Sequence, residues 1–293
     1  MGELLALLTA LLHAIGVVLY KRSIAYVSPF GLNLFKNCVA LVFCVSTAAF
    51  LGTTKFLSIP PSDLALMLVS GAIGIGISDM LFFMTLARLG ASRTALVDCL
   101  YSPFIILMSF LFWSETLAPF ALFGGVLILA SVVLSSSRGF GGAITRRQFW
   151  TGCGLGALSM ATVTFAIVLV RPLLHIYPLS LLITIRMAGG VAILVLLAPF
   201  SLQQKSVYAV FRPQQAWKFM FPGTFFGAYL SLFCWLAGFR YAQAGIVALL
   251  NQTSTALIVV FAAMFLKEPM TRLKVLAVSM ASAGAMLVLY WSR

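Results

Sequence analysis

Long apolar runs, each closed by charge, proline or glycine, dominate the chain. They predict helices near 3–20, 30–52, 63–89, 91–113, 117–136, 149–170, 179–200, 217–239, 244–266 and 271–291. A bilayer core about 30 Å thick asks for about 20 apolar residues per spanning helix. Ten runs of that length therefore predict an all-α integral membrane protein with ten transmembrane helices. Most connections are short. Two longer ones, 137–148 (SRGFGGAITRRQ) and 201–216, are Gly-rich or polar and basic. The first divides the chain into a five-helix unit at 1–136, a linker at 137–148 and a second five-helix unit at 149–293.

The two units match each other. ALVDCLYSPFIILMSFLFWSETL (95–117) aligns without a gap on ALLNQTSTALIVVFAAMFLKEPM (248–270), setting Asp98 on Asn251 and Glu115 on Glu268. Upstream, Pro29 falls on Pro178 and Asn37 on Arg186 at a common offset. An odd number of spans per unit makes the second copy enter the membrane upside down, the arrangement of inverted repeats.

Composition agrees with a lipid-solvated chain: 62% of the 293 residues are hydrophobic and 9% charged, against roughly a quarter charged in soluble domains. The net charge of +13 does not point to nucleic acid, because the basic residues are scattered between apolar segments rather than gathered on one module. They read as topology signals. Thirteen Lys and Arg fall in odd-numbered loops, and four in even loops and the C-terminus. Cytoplasmic loops are enriched in these residues, so the count places odd loops inside and both termini outside. The five cysteines sit in apolar stretches without metal-type spacing and are expected to be free thiols. Glu3 stands where a signal peptide carries a base, so the first run reads as a span.

The chain resembles the EamA-type families of the drug/metabolite transporter superfamily over essentially its whole length. The resemblance rests on SPFGLNLFKN (28–37) with YPLSLLITIRM (177–187), and on YSPFIILMSFLFWSETL (101–117) with FLKEPMTRL (265–273). It implies a ten-helix transporter with both termini cytoplasmic, opposite to the charge count. The sequence departs from the family pattern at Ala256, the partner position of Pro103, which leaves no sequence reason for a symmetric kink in the two fourth spans.

Ionisable groups inside spans are costly and mark function by default. Lys36 and Arg186 lie six or seven residues into the second span of each half. They suit a carboxylate, a phosphate or a gate, or snorkelling to headgroups. Asp79, in SGAIGIGISDMLFF, is mid-span among small residues and suits an ammonium group or a proton. Asp98, Tyr101 and Ser102 share a helix face that Asn251, Ser254 and Thr255 repeat, either lining one cavity or joining helices by hydrogen bonds. His13 has the near-neutral pKa of a proton-coupling group, though a lone His more often serves packing. Glu115 and Glu268, at helix ends, suit structural pairing with cations. Trp235 and Tyr229 are candidates for an aromatic pocket wall.

These residues give the expectation of a secondary-active transporter, without cofactor or metal but open to proton coupling, in the inner membrane as monomer or homodimer. It would export a small metabolite such as an amino acid or related zwitterion by alternating access. A lipid or lipid-linked sugar flippase and a multidrug cation exporter are rivals of the same fold. An intramembrane enzyme lacks a converging catalytic set, since the chain has two His and no HExxH, and a channel lacks a filter-like sequence.

Overall fold

A computed structural model describes residues 1–53, 59–113, 144–200, 204–212, 214–242 and 244–291, with scattered helical positions between 123 and 134. The predicted 117–136 span and Glu115 fall mainly or wholly outside these residues; the other nine runs all contain helix.

The first half runs α1 (Gly2–Ser23), α2 (Pro29–Phe50), α3 (Pro61–Gly71), a π-helical turn (Ala72–Ile77), α4 (Ser78–Leu89), α5 (Ala91–Asp98) and α6 (Tyr101–Trp113). The second runs α7 (Arg146–Val170), α8 (Leu179–Leu197), a short α9 (Gln204–Ala209), α10 (Trp217–Thr224), a second π-helical turn (Phe225–Leu230), α11 (Ser231–Tyr241), α12 (Ala244–Asn251), α13 (Thr253–Leu266) and α14 (Arg272–Trp291). Among the described residues seven continuous helical stretches are long and apolar enough to cross a membrane; α13 is apolar but shorter.

Local chemistry sets the helix ends. Ser28 caps α2 by accepting from the Gly31 N–H at 3.1 Å, and Pro29 fills the first turn, where its missing N–H costs nothing. Thr145 and Gln148 form a reciprocal capping box on α7. Lys267, left-handed at φ 56°, closes α13 and turns the next residue, Glu268, back toward the bundle.

Small residues decide how closely helices approach. Cβ atoms built on Gly71 and Gly189 would lie 1.9 Å from the Arg186 carbonyl and 2.2 Å from the Leu68 carbonyl, so α3 and α8 touch backbone to backbone. The same holds where α1 crosses the second π-turn: a Cβ on Gly16 would stand 2.6 Å from the Gly227 Cα. The outer surface is apolar, with Phe50 90% and Leu196 67% exposed, as a lipid-facing surface requires.

The first, third and ninth loops meet at one end of the bundle. Lys21 Nζ donates to the Leu86 carbonyl at 2.9 Å, Arg22 to the Phe265 carbonyl, and Glu268 accepts from the Ala91 N–H at 3.1 Å. At the other end Tyr177 donates to Asp63 at 2.6 Å, and the Thr53 and Ser180 hydroxyls lie 2.7 Å apart.

Two irregularities recur at matching positions. The π-turns at 72–77 and 225–230 interrupt the third span of each half, and the fourth spans break at 98–101 and 251–253. This corrects the expectation from Ala256. The first break lies just ahead of Pro103, near the start of α6, and this proline has no N–H to return to the preceding turn. The second, without proline, is held by side chains: Thr253 donates to the Leu250 carbonyl at 2.7 Å and Gln252 donates to Ser102 Oγ at 2.7 Å. The two broken spans brace each other, as Thr255 Oγ1 also donates to the Ala95 carbonyl at 3.1 Å.

Candidate functional site

The π-turn of the third span is fastened from outside. Asn33 and Asn37, one helical turn apart on α2, donate to the carbonyls of Gly76 and Ile75 at 3.0 and 3.3 Å. Ser78 and Ser159 exchange hydroxyl-to-carbonyl bonds, each 2.8 Å, between α4 and α7. Such turns rotate the residues that follow and are common at functional sites. Here Asp79 stands two residues beyond the turn and faces the bundle interior.

Asp79 meets Lys36 of α2, whose ammonium donates to Asp79 Oδ2. The Lys36 side chain is 6% exposed and that of Asp79 32%, so the cation is enclosed while the carboxylate shows one side to open space. That space is a cavity of about 220 Å³ among spans of both halves. A water needs only about 10–15 Å³ on the same measure, so the cavity has room for a small metabolite.

Eight of the residues singled out from sequence stand on its wall: His13, Lys36, Asp79, Asp98, Tyr101, Trp235, Asn251 and Ser254. The rings of Tyr101 and Trp235 are 6.3 Å apart, and the His13 ring lies 6.1 Å from Phe82. Arg186 is buried just behind the wall at 1% exposure, its Nη2 3.4 Å from where a Gly74 Cβ would stand. Its Nε and Nη1 have no hydrogen-bond partner among the described residues, although it interacts electrostatically with Asp79 and Tyr101.

Tyr229 is a correction. Its hydroxyl pairs with Thr47 at 2.6 Å and its ring packs on Phe43, Phe225 and Phe233, away from the cavity. Tyr229 and Phe233 share one face of the helix by i, i+4 spacing, whereas Ala228, Ser231, Leu232 and Trp235 occupy the face toward the cavity. The repeated polar stripes divide as well. Asp98, Tyr101, Asn251 and Ser254 line the cavity, while Ser102 and Thr255, buried, join the two fourth spans.

Sequence reading passed over Gln252, Ser78, Ser159 and Ser231, all on the wall. The polar run NQTST within an apolar segment is the one signal that pointed to Gln252.

At the odd-loop end Glu268 takes the structural role expected of it, accepting from Ser92 Oγ, from Lys274 Nζ at 3.0 Å and from the Ala91 N–H. Burial pushes its carboxyl up, but the hydrogen bond from Ser92 and the charge of Lys274 outweigh that and hold it below the usual range. No group of three or more metal-ligating side chains exists among the described residues.

Comparison with known proteins adds three findings. The model of the EamA-like transporter family matches residues 1–137 and again 150–290. A solved structure, titled only as the crystal structure of a protein, superposes with a TM-score of 0.76 over 99% of this chain and 97% of its own, at 18% identity, which speaks for the fold alone. No curated protein matches.

Proposed function

We propose a function from one premise: the chain belongs to the EamA-like transporter family, and so is a multi-pass membrane transporter of the drug/metabolite type. In our reading it has ten spans in two inverted five-helix repeats and exports a small metabolite carrying both charges, such as an amino acid, across the inner membrane by alternating access. The matched π-turns and matched breaks support two copies of one unit. The contacts of the loop ahead of α5 with the odd-loop end, and of Ala242, just ahead of α12, with Gly2 at the opposite end, support their inversion.

The observation that carries the substrate class is the cavity, which brings acidic and basic side chains to one place inside the bilayer. Lys36 and Asp79 pair there with one side of the carboxylate left open, and Arg186 stands behind them with its Nε and Nη1 unpartnered among the described residues. A solute with one charge leaves part of this set unmatched, at a cost the low-dielectric interior magnifies. A zwitterion matches both signs. The aromatic surfaces of Tyr101, Trp235 and Phe82 supply the apolar remainder of the wall. His13, beside Phe82, is the group we assign to proton coupling, if export is proton-driven.

The test is transport in proteoliposomes with a panel of amino acids, organic cations, nucleotide sugars and nucleosides. We expect a zwitterion to move, and Asp79→Asn and Arg186→Ala each to lower its initial rate by about tenfold or more, the scale of one lost charge-assisted contact. If no panel member moves, or both variants keep full transport, the reading fails.

A further inference from the structure

The two broken fourth spans cross beside the cavity, and each brings one oxygen-bearing side chain to its break at the matching position: Asp98 at the end of α5 and Asn251 at the end of α12. Asp98 Oδ1 and Asn251 Oδ1 are buried and accept no hydrogen bond from any described residue. Of their neighbours, the Tyr101 hydroxyl is likewise without a partner among the described residues, whereas Ser102 and Thr255 are engaged. Ser102 accepts from Gln252, and Thr255 donates to the Ala95 carbonyl while lying 3.2 Å from Cys99 Sγ. Asp98 forms no ion pair with a described cation, whereas Asp79, the other acid on the wall, is held by Lys36.

Two acceptor oxygens on residues that line one cavity, neither bonded to a donor among the described residues, call for a ligand made of donors or positive charge. An unpaired carboxylate inside a membrane is costly and is retained where something completes it. Interrupted helices favour such sites because they free backbone and side-chain oxygens at mid-membrane depth. We infer that the crossing of the fourth spans is a cation site, built from Asp98 of the first repeat and Asn251 of the second, and separate from the Lys36–Asp79 pair. Its ligand is a small monovalent cation: the ammonium end of the transported solute or a sodium ion coupled to it. This deepens the transporter reading and rests on the cavity being its binding site.

Trp235, ring to ring with Tyr101 one turn from Asp98, makes the site observable. The purified full chain is titrated at fixed pH and chloride with sodium chloride or ethylammonium chloride, balanced by N-methyl-glucamine chloride. Tryptophan fluorescence and melting temperature are followed. One of the two salts is expected to produce a saturable change in both. Asp98→Asn weakens the apparent affinity by about tenfold or more, Asn251→Ala by several-fold, and Asn251→Asp strengthens it. A sodium response identifies a coupling ion; a response to ethylammonium alone identifies the amine end of the solute.

The site is overturned if neither salt acts on the wild type, or if Asp98→Asn and Asn251→Asp, melting like the wild type without added cation, both bind as it does. Transport separates this from the reading beneath it. Undiminished zwitterion transport by folded Asp98→Asn removes the site and leaves the transporter reading intact. Saturable cation binding with no panel solute moved upholds the site and removes the zwitterion reading.

Discussion

Two lysine–carboxylate pairs in this molecule differ in what surrounds the carboxylate. Glu268, at the odd-loop end, accepts from a backbone amide, a hydroxyl and Lys274, and ties the loop between α4 and α5 to the loop between α13 and α14. Asp79, in the interior, has Lys36 as its one hydrogen-bond donor among the described residues and turns its free side to the cavity. The first carboxylate is saturated by the fold. The second keeps capacity for another partner. An ion pair built to hold and an ion pair built to exchange are thus told apart by how many donors are left over, not by distance or residue type.

The largest effect should come from breaking the interior pair. Asp79→Leu leaves the enclosed Lys36 ammonium alone and should cost about 3–5 kcal/mol of stability, the usual penalty for an uncompensated buried charge. Lys36→Met should cost less, because Asp79 still faces the cavity and lies within the field of Arg186. The double variant Lys36→Met/Asp79→Leu should recover most of the loss in melting experiments while failing to transport. If the double variant is no better than Asp79→Leu, the pair is not an isolated unit and the contrast with Glu268 collapses.

A smaller effect is expected at the other pair. Glu268→Gln removes one acceptor oxygen and the charge, and should destabilise by about 1–3 kcal/mol, the cost of leaving partly buried donors unmatched. Its transport rate per folded molecule should stay near wild type. A large fall in rate with unchanged melting would make this cluster part of the transport machinery and blur the distinction.

The smallest effect is in pH. The folded state holds the Glu268 carboxyl below its unfolded value of about 4.3. Its stabilising contribution is therefore complete above that value and disappears as pH falls through the lower folded one. The difference in melting temperature between wild type and Glu268→Gln should be constant above about pH 5 and shrink below about pH 4. A difference that persists unchanged to lower pH would show that the lost contact is not the charged one.

Much of this was legible in the sequence. Apolar run length located the helices, and the cost of ionisable groups in lipid singled out Lys36, Asp79, Asp98 and Arg186, three of which line the cavity and one of which backs it. That Lys36 and Asp79 pair was not legible. Periodicity gives a helix its faces but not the angle at which it meets a neighbour, and here that angle depends on a π-turn that reads in sequence as ordinary small and apolar residues. Arg186 sits behind the wall because Gly71 and Gly189 draw α3 and α8 into backbone contact, an approach no residue pattern quantifies. The second fourth-span break was missed for a related reason. Proline announces a break, whereas Thr253 and Gln252 make one only through partners brought in by the fold. Tyr229 was misplaced by residue type alone, since its helical spacing from Trp235 already sets it on another face.

The contact between Gly16 and Gly227 constrains how the halves can move. With a Cβ on either glycine falling 2.6–2.7 Å from the other's Cα, α1 and the second π-turn meet backbone to backbone, with the Tyr20 ring of α1 closing one side of the contact. The two helices cannot slide past one another there. They can only roll about the point of touch, so this crossing works as a bearing, and a single methyl group added to either glycine is grit in it.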